Sequence, residues 1–230
     1  MRPLAVFVFS LSLAATYTTA PLWRRALGAA FPSAAASASA AEAADALQFL
    51  LETRVCGSPA VNFYADTSPE CLLRSPTARW TLRRAAVVAA GGALPPLEAH
   101  LDREADYDGL AVVWGVGHKA VSLEDCAARC AAHVPDPSGD GFAPLPCNAV
   151  AFCAAEVCWE PDRHHHTLGD CWLKFTEGPA APEVNQRGAL TAAQRRRHAG
   201  APERTHWHGG VLLPPGVALR NGTRSPRWDW

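Results

Sequence analysis

Cysteines carry the most definite chemistry in this sequence, through their number and spacing. Thiols act as nucleophiles, metal ligands or disulfide partners, and the Cys-x-x-Cys spacing of a redox pair does not occur. An even number of cysteines at high local density is typical of a disulfide framework in an exported protein. We therefore predict disulfides rather than a catalytic thiol or a zinc site for the eight cysteines, which are Cys56, Cys71, Cys126, Cys130, Cys147, Cys153, Cys158 and Cys171.

The spacing also restricts which cysteines can pair. Cys126 and Cys130 are four residues apart, so on a helix they lie on one side. An extended strand would separate Cys147 from Cys153 by about 20 Å, whereas a disulfide allows at most about 7 Å between Cα atoms. We therefore expect Cys147 in the loop before the strand. Of about fifteen pairings open to the six clustered cysteines, the spacing favours Cys130–Cys147, Cys126–Cys153 and Cys158–Cys171, which leaves Cys56–Cys71.

His164, His165 and His166 form the most conspicuous cluster of possible metal ligands. Neutral imidazoles bind zinc and copper, and His206 and His208 could add ligands. Adjacent histidines do not readily reach one ion, and the glycine-containing loop around them is not expected to form a helix that aligns them. We predict a solvated loop, with no metal site and no cofactor.

Aromatic residues around this loop suggest contact with a ligand. Indole faces suit the C–H surfaces of sugar rings. Trp159 opens the loop, and we predict that it contacts a ligand together with His164, His165 and His166. Trp114 and Trp207 could stack in the same way, whereas Trp172 lies in a short, mostly apolar run and is expected in the core.

Charge and motifs narrow the class of function. The net charge of −1, from 21 basic and 22 acidic residues, does not indicate a general attraction to nucleic acid. The basic cluster Arg195–His198 could bind sulfated glycans or anionic lipid, or act as a processing site, but a solvated linker is the simpler interpretation. The sequence has no Gly-rich phosphate loop, hydrolase elbow, His-Glu-x-x-His or paired-carboxylate pattern. We predict no catalytic residues and no nucleic-acid partner.

Residues 1–20 have the pattern of a signal peptide. A basic start is followed by the apolar run Leu4–Ala15 and then by small residues. The run is shorter than the about 20 apolar residues of a membrane-spanning helix, and the alternative is an organelle transit peptide. No later stretch is expected to span a membrane, and Asn221 begins a glycosylation sequon. We expect a secreted, extracellular glycoprotein.

Several further elements must position these residues. Residues 21–45 are a low-complexity Ala/Ser segment that can pack little, and residues 46–100 form an N-terminal extension of unknown fold. A helix is expected over Ala41–Thr53, from its leucine spacing. Residues 101–213 form the main domain, and residues 214–230 an irregular tail.

The main domain shows clear signals for strands and for one helix. A helix is expected after Ser122, which can cap it while Asp125 reaches back as in a capping box. Asp106–Gly109 has the composition of a polar turn. Apolar runs rich in strand formers predict strands, the second and third of which form a hairpin-like pair around a long excursion. These strands are Leu110–Trp114, Asn148–Cys153, Cys171–Phe175 and Trp207–Leu213.

The order of these pieces resembles the PAN/Apple family. The resemblance rests on the capped Cys-x-x-x-Cys helix, on Cys147-Asn148 with Phe152-Cys153, and on the run Cys171–Phe175, and it covers about residues 102–175. It implies an α+β fold in which one helix packs across a small antiparallel sheet and is held by two helix-to-sheet disulfides. It also implies non-catalytic binding of protein or carbohydrate. The extension before residue 97 is outside this pattern and is expected to be irregular or helical.

We therefore expect a secreted or cell-surface binding module that recognises a protein or glycan partner. Its loops at residues 134–146 and 160–169 would make the contacts. The alternatives are a structural component of a cell wall or matrix, in which the module is a stable spacer, and a metal-dependent secreted enzyme.

Overall fold

A five-stranded antiparallel sheet organises the described part of the chain. The computed structural model describes residues 40–57, 67–220 and 222. The predicted signal peptide, residues 21–39 and the sequon at Asn221 lie outside the described residues. The sheet, the helices and four disulfides confirm an α+β fold with a disulfide-stapled antiparallel sheet.

The described part of the chain contains both helices and strands. None of these helices is long and apolar enough to cross a membrane. The described helices are α1 (Ala40–Glu52), α2 (Pro69–Arg74), α3 (Pro76–Ala89), α4 (Leu123–Ala131) and α5 (Ala192–Arg197). The described strands are β1 (Glu98–Asp102), β2 (Ala105–Tyr107), β3 (Leu110–Val113), β4 (Ala149–Cys153), β5 (Val157–Cys158), β6 (His166–Thr167), β7 (Cys171–Phe175), β8 (Val184–Arg187) and β9 (Trp207–Leu213).

The sheet has the strand order β1-β9-β4-β7-β3, so β9, the last of the described strands in sequence, lies between β1 and β4. The predicted strands β3, β4, β7 and β9 are confirmed, as is the antiparallel pairing of β4 with β7. Strand β1 alternates polar and apolar residues, but it lies at the edge of the sheet and all of its side chains are exposed or half-buried.

Helix α4 packs against one face of the sheet. Ser122 caps it as predicted, since its Oγ accepts a hydrogen bond from the Asp125 backbone N–H at 3.1 Å. The Asp125 carboxylate reaches back one residue further than a capping box requires and accepts from the Val121 N–H at 3.0 Å. The buried side chains of α4 join the core that β4 and β7 present to it, and they are Leu123, Cys126, Ala127 and Cys130.

The ribbon formed by β2 and β8 packs against the opposite face. A Cβ on Gly209 of β9 would lie 2.8 Å from the Ala105 carbonyl oxygen, so glycine is needed where the ribbon approaches the sheet. The prediction of a polar turn over Asp106–Gly109 is wrong at its start, because β2 is buried. The carboxylate of Asp106 tolerates burial because Lys174 and Asn185 donate to it.

Residues 46–100, whose fold the sequence left open, contribute helices to the same cores. Ser68 and Ser75 cap α2 and α3 ahead of a proline at the first helical position. Leu51 of α1 packs with the ribbon and β9, whereas Leu72 and Ala78 pack with the sheet face that α4 covers. The helix predicted over Ala41–Thr53 is confirmed as α1.

Two of the four disulfides are those that the spacing favoured. Cys130 pairs with Cys147, which lies in the loop before β4 as expected, and their Cα atoms are 5.3 Å apart. Cys56 pairs with Cys71, which ties the chain after α1 to α2. All eight cysteines are oxidised.

The other two predicted pairs are wrong, because Cys126 bonds to Cys171 and Cys153 to Cys158. The reason is the alternation of faces along β4. Phe152 faces α4, so the next residue, Cys153, points to the opposite face. Cys171 is the cross-strand partner of Phe152, shares its face, and is therefore the cysteine that α4 can reach.

Candidate functional site

A cleft of about 440 Å³ opens on the sheet face opposite α4, beside the excursion between β4 and β7. Its volume falls within the range of about 300–1,000 Å³ that small-molecule sites occupy. Besides Phe142, five rings line it, which we call the aromatic wall: Trp114, His164, His166, Trp172 and Trp207. Its charged side chains are Asp106, Glu160, Asp162, Arg163 and Lys174.

Side chains along β7 point alternately to the two faces of the sheet, and this places two of the lining side chains in the cleft. Cys171, Leu173 and Phe175 face α4, so Trp172 and Lys174 face the other way. Ala151 of β4 is the cross-strand neighbour of Trp172 and also lines the cleft. A methyl group at this position leaves the space beside the indole open.

The exposed end of the aromatic wall consists of Trp114, Trp172 and His164. The ring centroids of Trp114 and Trp172 are 5.2 Å apart, and those of Trp114 and His164 are 5.5 Å apart. Trp114 is 60% exposed, so a large part of its indole is available to a ligand. A Cβ on Gly115 would overlap the Trp172 ring, so glycine is needed here for the wall to form.

His166 closes the inner end of the wall. It is 3% exposed, and its ring packs edgewise against Trp172 and Trp207. Its Nε2 lies 3.2 Å from both carboxylate oxygens of Asp162, while its Nδ1 has no hydrogen-bond partner among the described residues. Burial by itself raises the pKa of Asp162, but hydrogen bonds from His166 and from the His164 backbone N–H outweigh it and lower the pKa.

A buried ion pair forms the floor of the cleft. The Lys174 Nζ donates to Asp106 Oδ1 at 3.1 Å and to the Tyr107 carbonyl at 2.7 Å. Asn185 donates to Asp106 Oδ2 at 2.8 Å, so both oxygens of this carboxylate are used. Burial of the Lys174 amine alone would lower its pKa, but nearby carboxylates, that of Asp106 first, outweigh burial and raise it.

Glu160 lies beside this pair and is held by the ribbon. Gln186 of β8 donates from Nε2 to Glu160 Oε2 at 2.6 Å and to the Trp159 carbonyl at 3.1 Å. Burial, followed by the neighbouring carboxylates of Asp106 and Asp162, raises the pKa of Glu160 well above its ordinary value. Its carboxyl group therefore keeps a proton to higher pH than a solvated glutamate does.

The residues predicted to contact a ligand divide between the cleft and its surroundings. His164 and His166 line the cleft. Trp159 does not, because its ring packs against His198 at 5.5 Å and its carbonyl accepts from Trp207 Nε1 at 3.0 Å. His165 is exposed outside the lining. Among the described residues, no group of three or more His, Cys, Asp or Glu could hold a metal ion.

The polar floor was missed from the sequence, and so was the exposure of Trp172. The prediction that Trp172 belongs to the core is wrong, because its ring is half-buried and lines the cleft. The sequence of β7 could have shown this, since Trp172 is two positions from Lys174 and residues two apart on a strand lie on the same face. Asp106 and Glu160 had no such signal, because they reach the cleft from the ribbon and from the excursion.

Comparisons of the chain with protein-family models, with curated proteins and with solved structures found no match.

Proposed function

We propose that this chain is a secreted or cell-surface, non-catalytic binding module of PAN/Apple type, and that its cleft binds carbohydrate. The observation that carries the proposal is the aromatic wall standing directly beside the buried polar floor. A sugar ring has one flat C–H surface and a rim of hydroxyl groups. The first suits an indole face, and the second requires donors and acceptors within the same few ångströms.

The polar groups of the cleft are of the kind that bind hydroxyls. Asp106, Lys174 and Glu160 present carboxyl and ammonium groups that are already oriented by hydrogen bonds to the ribbon. The unpartnered Nδ1 of buried His166 is a further group that a hydroxyl would satisfy, since a buried polar atom without a partner costs about 1–3 kcal/mol. Orientation before binding favours affinity, because less conformational freedom is lost when the ligand arrives.

Disulfides support this rigid arrangement and the extracellular setting. Cys126–Cys171 anchors β7 beside Trp172, and Cys153–Cys158 anchors the start of the excursion that carries Glu160 and His166. Disulfides of this number persist in oxidising compartments and are rare in the cytosol.

A protein partner fits the cleft less well than a sugar does. A stable protein–protein interface buries roughly 1,200–2,000 Å² over a broad surface, whereas the aromatic and polar groups here converge in one concave site. We therefore assign the cleft to a carbohydrate and leave a protein partner as an outcome of the test.

A glycan array probed with the purified full chain tests the proposal. We expect binding to a defined set of glycans, and we expect Trp114→Ala to weaken it by about tenfold, since an aromatic contact contributes about 0.5–1.5 kcal/mol beyond the apolar area that it buries. Phe49→Ala is the matched control, because Phe49 is also an exposed aromatic residue but lies on α1.

A silent array would overturn the proposal. Together with co-purification of the chain with wall material, it would favour a structural spacer, whereas capture of a defined protein that Trp114→Ala abolishes would favour protein recognition.

A further inference from the structure

We propose that the cleft selects sugars that carry a free amino group, such as glucosamine units, and discriminates against uronic acids and sulfated sugars. This inference rests on the proposed function and deepens it, because it names the class of sugar. It is carried by the balance of charges around the cleft and by the way in which the aromatic wall is packed.

Carboxylates outnumber fixed cations around the cleft. The acids are Asp106, Glu160 and Asp162 in the lining, together with Asp108, whose charge also acts on Glu160. The fixed cations are Lys174 and Arg163. In the lining itself, three acids face two cations when His164 and His166 are neutral, and Asp108 adds its charge from outside the lining. Charging of one histidine makes the two sides of the lining equal. Because the pKa of Glu160 is raised, the excess of negative charge is largest at a pH above that pKa.

Lys174 does not offer its charge to an anionic ligand. Its ammonium group is buried in contact with Asp106 at 3.1 Å and with the Tyr107 carbonyl at 2.7 Å. An anionic sugar would have to compete with Asp106 for this ammonium, and it would also meet Glu160 and Asp162. Like charges in a partly desolvated site are unfavourable at this range.

The packing of the aromatic wall excludes a different cationic ligand. Trimethylated amines bind in cages whose rings stand apart around the cation. Here the ring centroids of Trp114, Trp172 and His164 lie 5.2–6.5 Å from one another, with Trp114 and His164 edge to face and the other two pairs tilted. No space remains between them, so the wall is a surface for stacking and the cation must bind at the carboxylates.

Glu160 is the acid best placed to receive an amino group. It lies beside the floor, and Gln186 orients its carboxyl group. Burial first, and then the neighbouring carboxylates, raise the pKa of Glu160. Those carboxylates create a negative potential, which an ammonium group would relieve. Binding of an ammonium group should therefore release a proton from Glu160 in the pH range where it is partly protonated.

Four methyl glycosides that share one ring test the proposal on the full chain. Calorimetric titration compares those of glucose, glucosamine, N-acetylglucosamine and glucuronic acid. We expect the glucosamine glycoside to bind about tenfold more tightly than the neutral pair and the glucuronide to bind most weakly, with both differences shrinking at high salt. Titrations of the glucosamine glycoside in buffers of different ionisation enthalpy should show proton release.

Glu160→Gln keeps the shape of the side chain and removes its charge. We expect this variant to lose the preference for the amino sugar, so that the glucosamine glycoside and the neutral glycosides bind it with similar affinity. Glu156→Gln is the control, because Glu156 is exposed outside the lining. If the amino and neutral sugars bind equally well to the parent chain, or if the glucuronide binds best, the inference fails and the proposed function stands. If none of the four binds and the glycan array is silent, the proposed function fails.

Discussion

At the scale of single residues, the cleft depends on residues whose surroundings are set by burial and by the alternating direction of side chains along a strand. Glu160 is the clearest case, since its carboxyl group stands near other carboxylates under partial burial. Gly115 is another, because any side chain there would displace the Trp172 ring. Neither property follows from the residue type alone.

The raised pKa of Glu160 gives the stability of the chain a definite pH dependence. The unfolded chain ionises Glu160 near the ordinary value of 4.5, but the folded chain does so only at higher pH. The contribution of this group to folding is therefore retained below about pH 4.5 and is lost as pH rises through the raised pKa.

We expect Glu160→Gln, which cannot ionise, to escape this loss. Its Tm relative to the parent chain should accordingly rise from pH 4 to pH 7, as measured by thermal unfolding. Glu156→Gln, at an exposed position, should show no such rise. A Tm difference for Glu160→Gln that does not change with pH would contradict the assignment.

At the scale of elements, the disulfides covalently join helices, strands and loops that are separate in the sequence. Cys126–Cys171 ties α4 to β7 across 45 residues, whereas Cys153–Cys158 closes a separation of only 5 residues. A bridge stabilises mainly by restricting the unfolded chain, and it restricts a longer loop more.

The two bridges should therefore contribute unequally to stability. Removing Cys126–Cys171 by a double alanine substitution is expected to lower the free energy of unfolding by about 4 kcal/mol, and removing Cys153–Cys158 by about 2 kcal/mol. Urea unfolding of both variants measures this. Equal losses would show that strain or packing, rather than loop length, governs these bridges.

At the scale of the whole molecule, the sheet and the ribbon are joined across a buried ion pair. Lys174 belongs to β7 and Asp106 to β2, so their contact fixes one layer against the other at the floor of the cleft. Breaking such a pair from one side leaves an uncompensated buried charge, which costs more than removing both partners.

We expect Lys174→Met to lower the free energy of unfolding by about 3–5 kcal/mol. The double variant with Asp106→Asn should recover part of this loss, because asparagine leaves no buried charge and can still accept from Asn185. Arg204→Met is the control, since it breaks an exposed ion pair with Glu104 that solvent screens, and it should change stability little. Chemical unfolding of the three variants measures these free energies of unfolding. A loss of stability for Lys174→Met that is no larger than that of the control would contradict the role of the ion pair.

Much of the sheet and its stapled helix could be predicted from local signals. Ser122 and the Cys126–Cys130 spacing predict α4, and the apolar runs predict β3, β4, β7 and β9. These signals are readable because each depends on neighbours within a few residues. The position of Cys147 off the strand was also predictable, since a disulfide limits how far apart its ends can lie.

The cleft and two of the disulfides were decided only by the tertiary structure. Whether Cys126 reaches Cys153 or Cys171 depends on which face of the sheet α4 covers, and a shift of one residue along a strand reverses the face. Asp106, Glu160 and Lys174 are far apart in sequence and meet because the ribbon packs on the sheet at Gly209. Local sequence determined the disulfide-rich framework of the described chain, and long-range packing determined the site that it holds.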